Sequence, residues 1–157
     1  MRRIAALLPA IVAPAGAYML VVRGALTLDL NLGRRIRPLG PIRRTIAAPP
    51  ETVFDIIAGP YLGRTPRAMQ DKLRVLERGR RHGAGGALHD GGRLTTTTVE
   101  TVRFERPHRV SFRLLRGPVP HVVETYELRE RAGGTDFTYE GELGTDLWRL
   151  GQGGATA

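Results

Sequence analysis

Cysteine is absent from the 157 residues, which excludes disulfide frameworks, thiol nucleophiles and cysteine-bound zinc or clusters. The absence leaves the compartment open, since secreted proteins also do without cysteine. Lysine is nearly absent: of 24 basic residues only Lys72 is lysine. With abundant Ala, Gly and Pro, that bias reflects GC-rich coding, so arginine by itself is weak evidence of function. Ser111 is the only serine and stands between Val110 and Phe112 in a strand pattern, a poor place for a serine nucleophile on a strained turn. The four histidines, His82, His89, His108 and His121, lack HExxH or His-x-His spacing, so no metal site is expected. No cofactor is expected either, because Gly83-Ala84-Gly85-Gly86-Ala87-Leu88 lacks the third glycine of a dinucleotide loop and reads as a turn.

What is present is an apolar fraction of 41%, enough for one packed domain. The net charge of +9 is unevenly placed: residues up to Arg44 carry +7, and those from Thr45 onward only +2. A nearly neutral globular part has no clustered field for a phosphate backbone, so nucleic acid is not an expected partner.

Ile4 to Val22 is an uncharged run of 19 residues between Arg2-Arg3 and Arg23, just long enough at about 1.5 Å per residue for the hydrocarbon layer. Three readings compete: a membrane anchor, a cleaved signal peptide, and a helix packed on the domain. Cleavage after Ala15 or Ala17 would leave Tyr18 to Val22 as an apolar terminus, which disfavours the signal peptide. As an anchor, the run has six arginines in the 22 residues that follow it against two before it. That places the domain on the cytoplasmic side; without an anchor it is cytoplasmic. Leu26, Leu28, Leu30 and Leu32 then alternate with polar residues, as an edge strand or a headgroup-level segment would.

Three units are expected: 1–40, the apolar helix and basic linker; 41–150, the folded domain; and 151–157, a glycine-rich tail. In the domain, Pro38 to Pro41 marks the boundary and Ile42 to Ala47 reads as a strand. Pro49 and Pro50 open a helix to about Ala58, stopped by Gly59-Pro60, and an irregular second helix falls within Leu62 to Met69. Strand patterns follow over Lys72–Arg78, Ala84–His89, Leu94–Glu105, Val110–Arg116, His121–Glu130 and Thr135–Leu143, joined by short turns that make neighbours antiparallel.

The stretch Ile46-Ala47-Ala48-Pro49-Pro50-Glu51-Thr52-Val53-Phe54-Asp55 resembles the opening of the START-like, or SRPBCC, superfamily. Phe104-Glu105-Arg106-Pro107-His108-Arg109-Val110-Ser111-Phe112 is similar to its mid-domain hairpin. Val123 to Leu128 with Gly134 to Gly141 is similar to its last two strands. The resemblance spans roughly Pro41 to Trp148. It implies an α+β helix-grip fold, a curved antiparallel sheet of six to seven strands around a long C-terminal helix, with a hydrophobic ligand cavity between them. Members bind lipids, polyketides, quinones or hormones, and a few are cyclases. The sequence departs from the pattern at its end: the 14 residues after Leu143 include Gly144, Gly151, Gly153 and Gly154, and each glycine costs a helix interior roughly 1 kcal/mol. Either the chain is shortened or frameshifted, or another element covers the concave face. The candidates are the N-terminal run, a second copy in a homodimer, or a helix-donating partner.

Strand parity selects the inward face. Val102 and Phe104, Phe112 and Leu114, Tyr126, and Phe137 and Tyr139 share it, with Phe54 supplied by the helix; these are the expected ligand-binding residues, and Val110 lies on the same face. The same parity turns Glu100 and Glu124 inward. Regular hairpins would set Leu114 opposite both, in a row Glu100, Leu114, Glu124, Gly141. A carboxylate in an apolar cavity needs a cationic partner or a raised pKa, the mark of a binding or catalytic site. The plain alternatives are a bulge that turns it to solvent, or a salt bridge to Arg93 or Arg113. The leading reading is a non-enzymatic carrier or sensor of a hydrophobic small molecule at a membrane. The alternatives are a polyketide cyclase or dehydratase using Glu100 or Glu124 to move protons, and a module whose open sheet accepts a partner's helix.

Overall fold

A computed structural model describes residues 15–79, 82–90 and 95–146. Its elements follow from local chemistry. The fixed φ of Pro49 and Pro50 suits a first helical turn, and the helix Pro50–Ala58 begins there. Gly59-Pro60 ends it, and it buries Val53, Phe54 and Ala58 while Ile56 stays 71% exposed. The second helix is only Arg67–Gln70, because Pro66 sits at its N-cap and leaves Leu62 to Thr65 as turns.

The fold is α+β. Seven strands form one antiparallel sheet: β1 (Arg35–Ile46), β2 (Leu73–Arg78), β3 (His82–Asp90), β4 (Thr95–Glu105), β5 (Arg109–Arg116), β6 (His121–Arg131) and β7 (Gly134–Thr145), in the order β1-β7-β6-β5-β4-β3-β2. Strands β2 to β7 are a meander of short connections, whereas the β1–β7 pairing spans almost the whole domain in sequence. The strand expected over Ile42–Ala47 begins earlier, at Arg35, so Pro38 to Pro41 lies inside β1 rather than at its boundary. A register shift between Leu39 and Ile42 absorbs the prolines, which an edge strand tolerates because one side of it needs no ladder bonds.

The face carrying Val102, Phe104, Val110, Phe112 and Leu128 receives the Pro50–Ala58 helix and forms the core with Val53, Phe54, Tyr61 and Leu73. Arg103, Arg113 and Arg129 occupy the opposite, solvated face, as alternation requires.

Residues 15–22 are helical, and among the described residues no helix is long and apolar enough to cross a membrane; the rest of the Ile4–Val22 run lies outside the described residues. The leucine-alternating stretch is not a strand. It is tied across strand ends instead: Thr97 donates to the Arg23 carbonyl at 3.1 Å, and Thr27 bonds both backbone groups of Gly117. Asp146 accepts from the Leu30 and Asn31 amides and from Arg34, and its ion pair with Arg34 holds the Asp146 carboxyl below its usual range. These tertiary bonds replace the ladder that an edge strand would have needed. The residues that would carry a C-terminal helix after Asp146, and the expected 151–157 tail, lie outside the described residues.

Candidate functional site

Between the Pro50–Ala58 helix, the turn that follows it and the sheet lies a cavity of about 530 Å³, within the roughly 300–1,000 Å³ typical of small-molecule sites. Ile56, Ile57 and Pro60 line it from the helical side, Met69, Lys72 and Leu73 from the approach to β2, and Glu100, Phe112, Glu124, Tyr126 and Phe137 from the sheet.

Its floor is a strip of aromatic rings. Tyr61 packs on Phe112 with centroids 5.5 Å apart, Phe112 meets Tyr126 edge-on at 5.4 Å, and Tyr126 lies tilted against Phe137 at 5.8 Å and Tyr139 at 5.3 Å. Each end of the strip holds a carboxylate: the Tyr61 hydroxyl donates to Glu100 Oε1 at 2.5 Å, and the Tyr139 hydroxyl donates to Glu124 Oε1 at 2.7 Å.

Glycines make room for both pairs. Gly85 stands opposite Glu100, and a Cβ there would come within 3.0 Å of the Tyr61 ring. Gly141 stands opposite Glu124, and a Cβ there would meet the Val123 carbonyl oxygen at 2.7 Å and Glu124 Cγ at 3.3 Å. A side chain at either position would crowd the tyrosine–carboxylate pair.

Burial raises all three tyrosines. It is the main cause for Tyr126, pushed up to about 12, with the Glu124 and Glu100 charges adding to it. Tyr61 and Tyr139 rise for the same reason, helped by the hydrogen bonds to Glu100 and Glu124 respectively. All three phenols therefore stay protonated at neutral pH, and Tyr61 and Tyr139 donate to the carboxylates. The site thus offers acceptor carboxylates, neutral phenols and apolar walls, an arrangement that orients a ligand or moves a proton on one.

Of the residues selected by parity, Phe112, Tyr126, Phe137, Glu100 and Glu124 meet at the cavity, and Tyr139 reaches it through Glu124. Phe54, Val102 and Phe104 instead close into the core, Phe54 1% and Val102 1% exposed. Leu114 lies toward the β5–β6 connection beside Gly117 and Thr98.

The expected row across four strands is corrected in register. Leu114 faces Glu100, but Glu124 faces Phe112. Strand β6 is slipped by two residues against β5 relative to that expectation, and an even shift keeps every side chain on its face. Arg113 is paired with Thr101 and Val123 on the other face, while Arg93 lies outside the described residues.

Sequence reasoning missed Tyr61, Lys72 and the helical wall. The only signal for Tyr61 was an aromatic directly after a Gly-Pro helix stop, and nothing local assigns such a residue to a sheet carboxylate.

Residues 42–157 match the family described as polyketide cyclase / dehydrase and lipid transport. Among solved structures the chain is similar to the Zhui aromatase/cyclase from Streptomyces sp. R1128, with 18% identity and a TM-score of 0.59 over 69% of this chain and 68% of that one. It is also similar to norcoclaurine synthase from Thalictrum flavum, with 10% identity and a TM-score of 0.61 over 77% and 78%. At such identities the likeness is one of fold. No curated protein matches the sequence.

Proposed function

The chain belongs to the polyketide cyclase / dehydrase and lipid transport family, and from that premise we propose that it binds and carries a hydrophobic small molecule of lipid, polyketide or quinone-like kind. The observation that carries this reading is the cavity itself: apolar and aromatic walls with a few convergent polar groups, open to solvent beside the exposed Ile56, which is the usual build of a small-molecule site.

A second reading, a cyclase or dehydratase, is favoured by the two tyrosine–glutamate pairs at opposite ends of the aromatic strip. A carboxylate beside a bound polyketone can take a proton from an acidic carbon, and a neutral phenol can donate a hydrogen bond to the enolate oxygen that results. The name of the Zhui aromatase/cyclase agrees with this reading but concerns that protein. The double substitution Glu100→Gln with Glu124→Gln separates the two. In an enzyme, turnover of a polyketone is expected to fall by about 10²-fold or more. In a carrier, the amount of apolar ligand extracted with the purified protein changes only a few-fold.

We further propose that the run Ile4 to Val22 holds the domain at the inner face of a membrane, a reading supported by its length and by the arginines that follow it. A C-terminal reporter fusion is expected to sediment with membranes and to remain inaccessible from outside the cell. Full-length protein that is monodisperse without detergent would instead point to packing of this run on the domain or on its open sheet face.

A further inference from the structure

We infer that the ligand of this cavity carries a positively charged nitrogen: the site recognises a hydrophobic amine or ammonium compound, its cation held against Glu124 and the aromatic strip. The inference rests on the reading of the cavity as a small-molecule site and narrows the chemistry of its occupant.

Charge is the first argument. Among the described residues that line the cavity, Glu100 and Glu124 are acidic and Lys72 is basic, in a chain whose total charge is +9. The basic excess is concentrated before Thr45, and none of the described residues there contributes to the lining. Lys72 is exposed, so its ammonium is water-screened in a way the half-buried carboxylates are not. Glu124 therefore presents a half-buried negative charge to whatever occupies the cavity.

Hydrogen bonding is the second argument. A carboxylate offers about four lone-pair directions. Among the described residues the Glu124 side chain accepts one hydrogen bond, from Tyr139, and Glu124 also lines the cavity. The Tyr126 ring packs against those of Phe112 and Tyr139, and the charges of Glu124 and Glu100 both act on its hydroxyl. A ligand N–H or N-methyl cation placed there gains an acceptor in Glu124 and stands near the electron-rich faces of Phe112, Tyr126 and Phe137. Aromatic faces attract ammonium ions within about 6 Å of a ring centroid. A carboxylate- or phosphate-bearing ligand of the same shape would have to bring like charge against Glu124.

A matched series tests this with the full chain: 4-phenylbutylammonium, 4-phenylbutan-1-ol and 4-phenylbutanoate, titrated calorimetrically at pH 7. The ammonium is expected to bind about tenfold or more tightly than the alcohol, and the alcohol more tightly than the carboxylate. In Glu124→Gln, an isosteric change, the ammonium is expected to lose its advantage while the alcohol keeps its affinity within a few-fold. Should that variant not fold, the order of the three probes on the unaltered protein still decides. Equal binding of all three, or a preference for the carboxylate, overturns the inference and leaves the hydrophobic-ligand reading standing. Binding of none of them removes both.

Discussion

Phe54→Ala is expected to destabilise the domain by about 3–5 kcal/mol, the range for removing a fully buried phenylalanine. Set against a total of roughly 5–15 kcal/mol for a domain of this size, such a loss removes a large fraction of the stability. The ring is 1% exposed and meets Phe104 edge-on at 6.3 Å. It is the residue by which the Pro50–Ala58 helix is seated on the sheet, and that seating forms one wall of the cavity. Arg106 lies over the same ring at 5.2 Å and pairs with Asp55 and Glu51. An exposed cation–π contact contributes only about 0.5–1 kcal/mol, so the cavity left by the ring dominates the result. Ile56→Ala on the exposed side of the same helix is the control, with an expected change within about 0.5 kcal/mol. Urea unfolding of both variants makes the measurement. A loss near that of Ile56→Ala would show that the helix does not rest on the sheet through Phe54.

Gly85→Val is expected to reduce affinity for a hydrophobic probe by about tenfold or more, and to cost about 1–3 kcal/mol of stability through overpacking. Valine suits a strand backbone, so the penalty comes from what its side chain meets. The Cβ alone would sit 3.0 Å from Tyr61 and 3.4 Å from Leu73, and two methyl groups reach further. Tyr61 must then leave Glu100, losing a hydrogen bond worth about 1 kcal/mol net, and the displaced ring fills the space a ligand would use. Gly86→Val, one residue along and on the other face, is the control: the nearest atoms to a Cβ there are at 3.5 Å and beyond. It is expected to bind the probe as the unaltered protein does. If Gly85→Val also binds normally, Tyr61 is not a wall of the site.

The elements were largely legible because their signals are local. Proline at 49 and 50, the Gly59-Pro60 stop and the two-residue alternation of the strands each act within a few residues and appear where the sequence puts them. Gly83 to Leu88, read as a turn, instead lies within β3, because its neighbours β2 and β4 both pair with it. The face of each strand was legible for the same reason, since burying Arg103, Arg113 and Arg129 is prohibitive and exposing Phe104, Phe112 and Tyr126 wasteful. Glu100 and Glu124 were therefore assigned to the same side as the aromatics without coordinates. The two-residue offset at Gly117 to Pro120 was not legible, because an even shift leaves the pattern of faces unchanged and only the ladder bonds distinguish the registers.

What the sequence by itself determined, then, is an antiparallel meander after a short helix, a neutral domain behind a basic segment, and two carboxylates on the apolar face. Tertiary structure alone decided which of the inward residues are core and which line a cavity. The helix lands on one end of the sheet, closing over Phe54, Val102 and Phe104 while leaving Phe112, Tyr126 and Phe137 beside open space. It also decided what the carboxylates meet. Tyr61 reaches Glu100 across 39 residues of sequence, and the N-terminal stretch is stapled to Asp146 across more than a hundred. Such partners are chosen by the closing of the chain on itself, and no local pattern of hydrophobicity or turn chemistry carries that information.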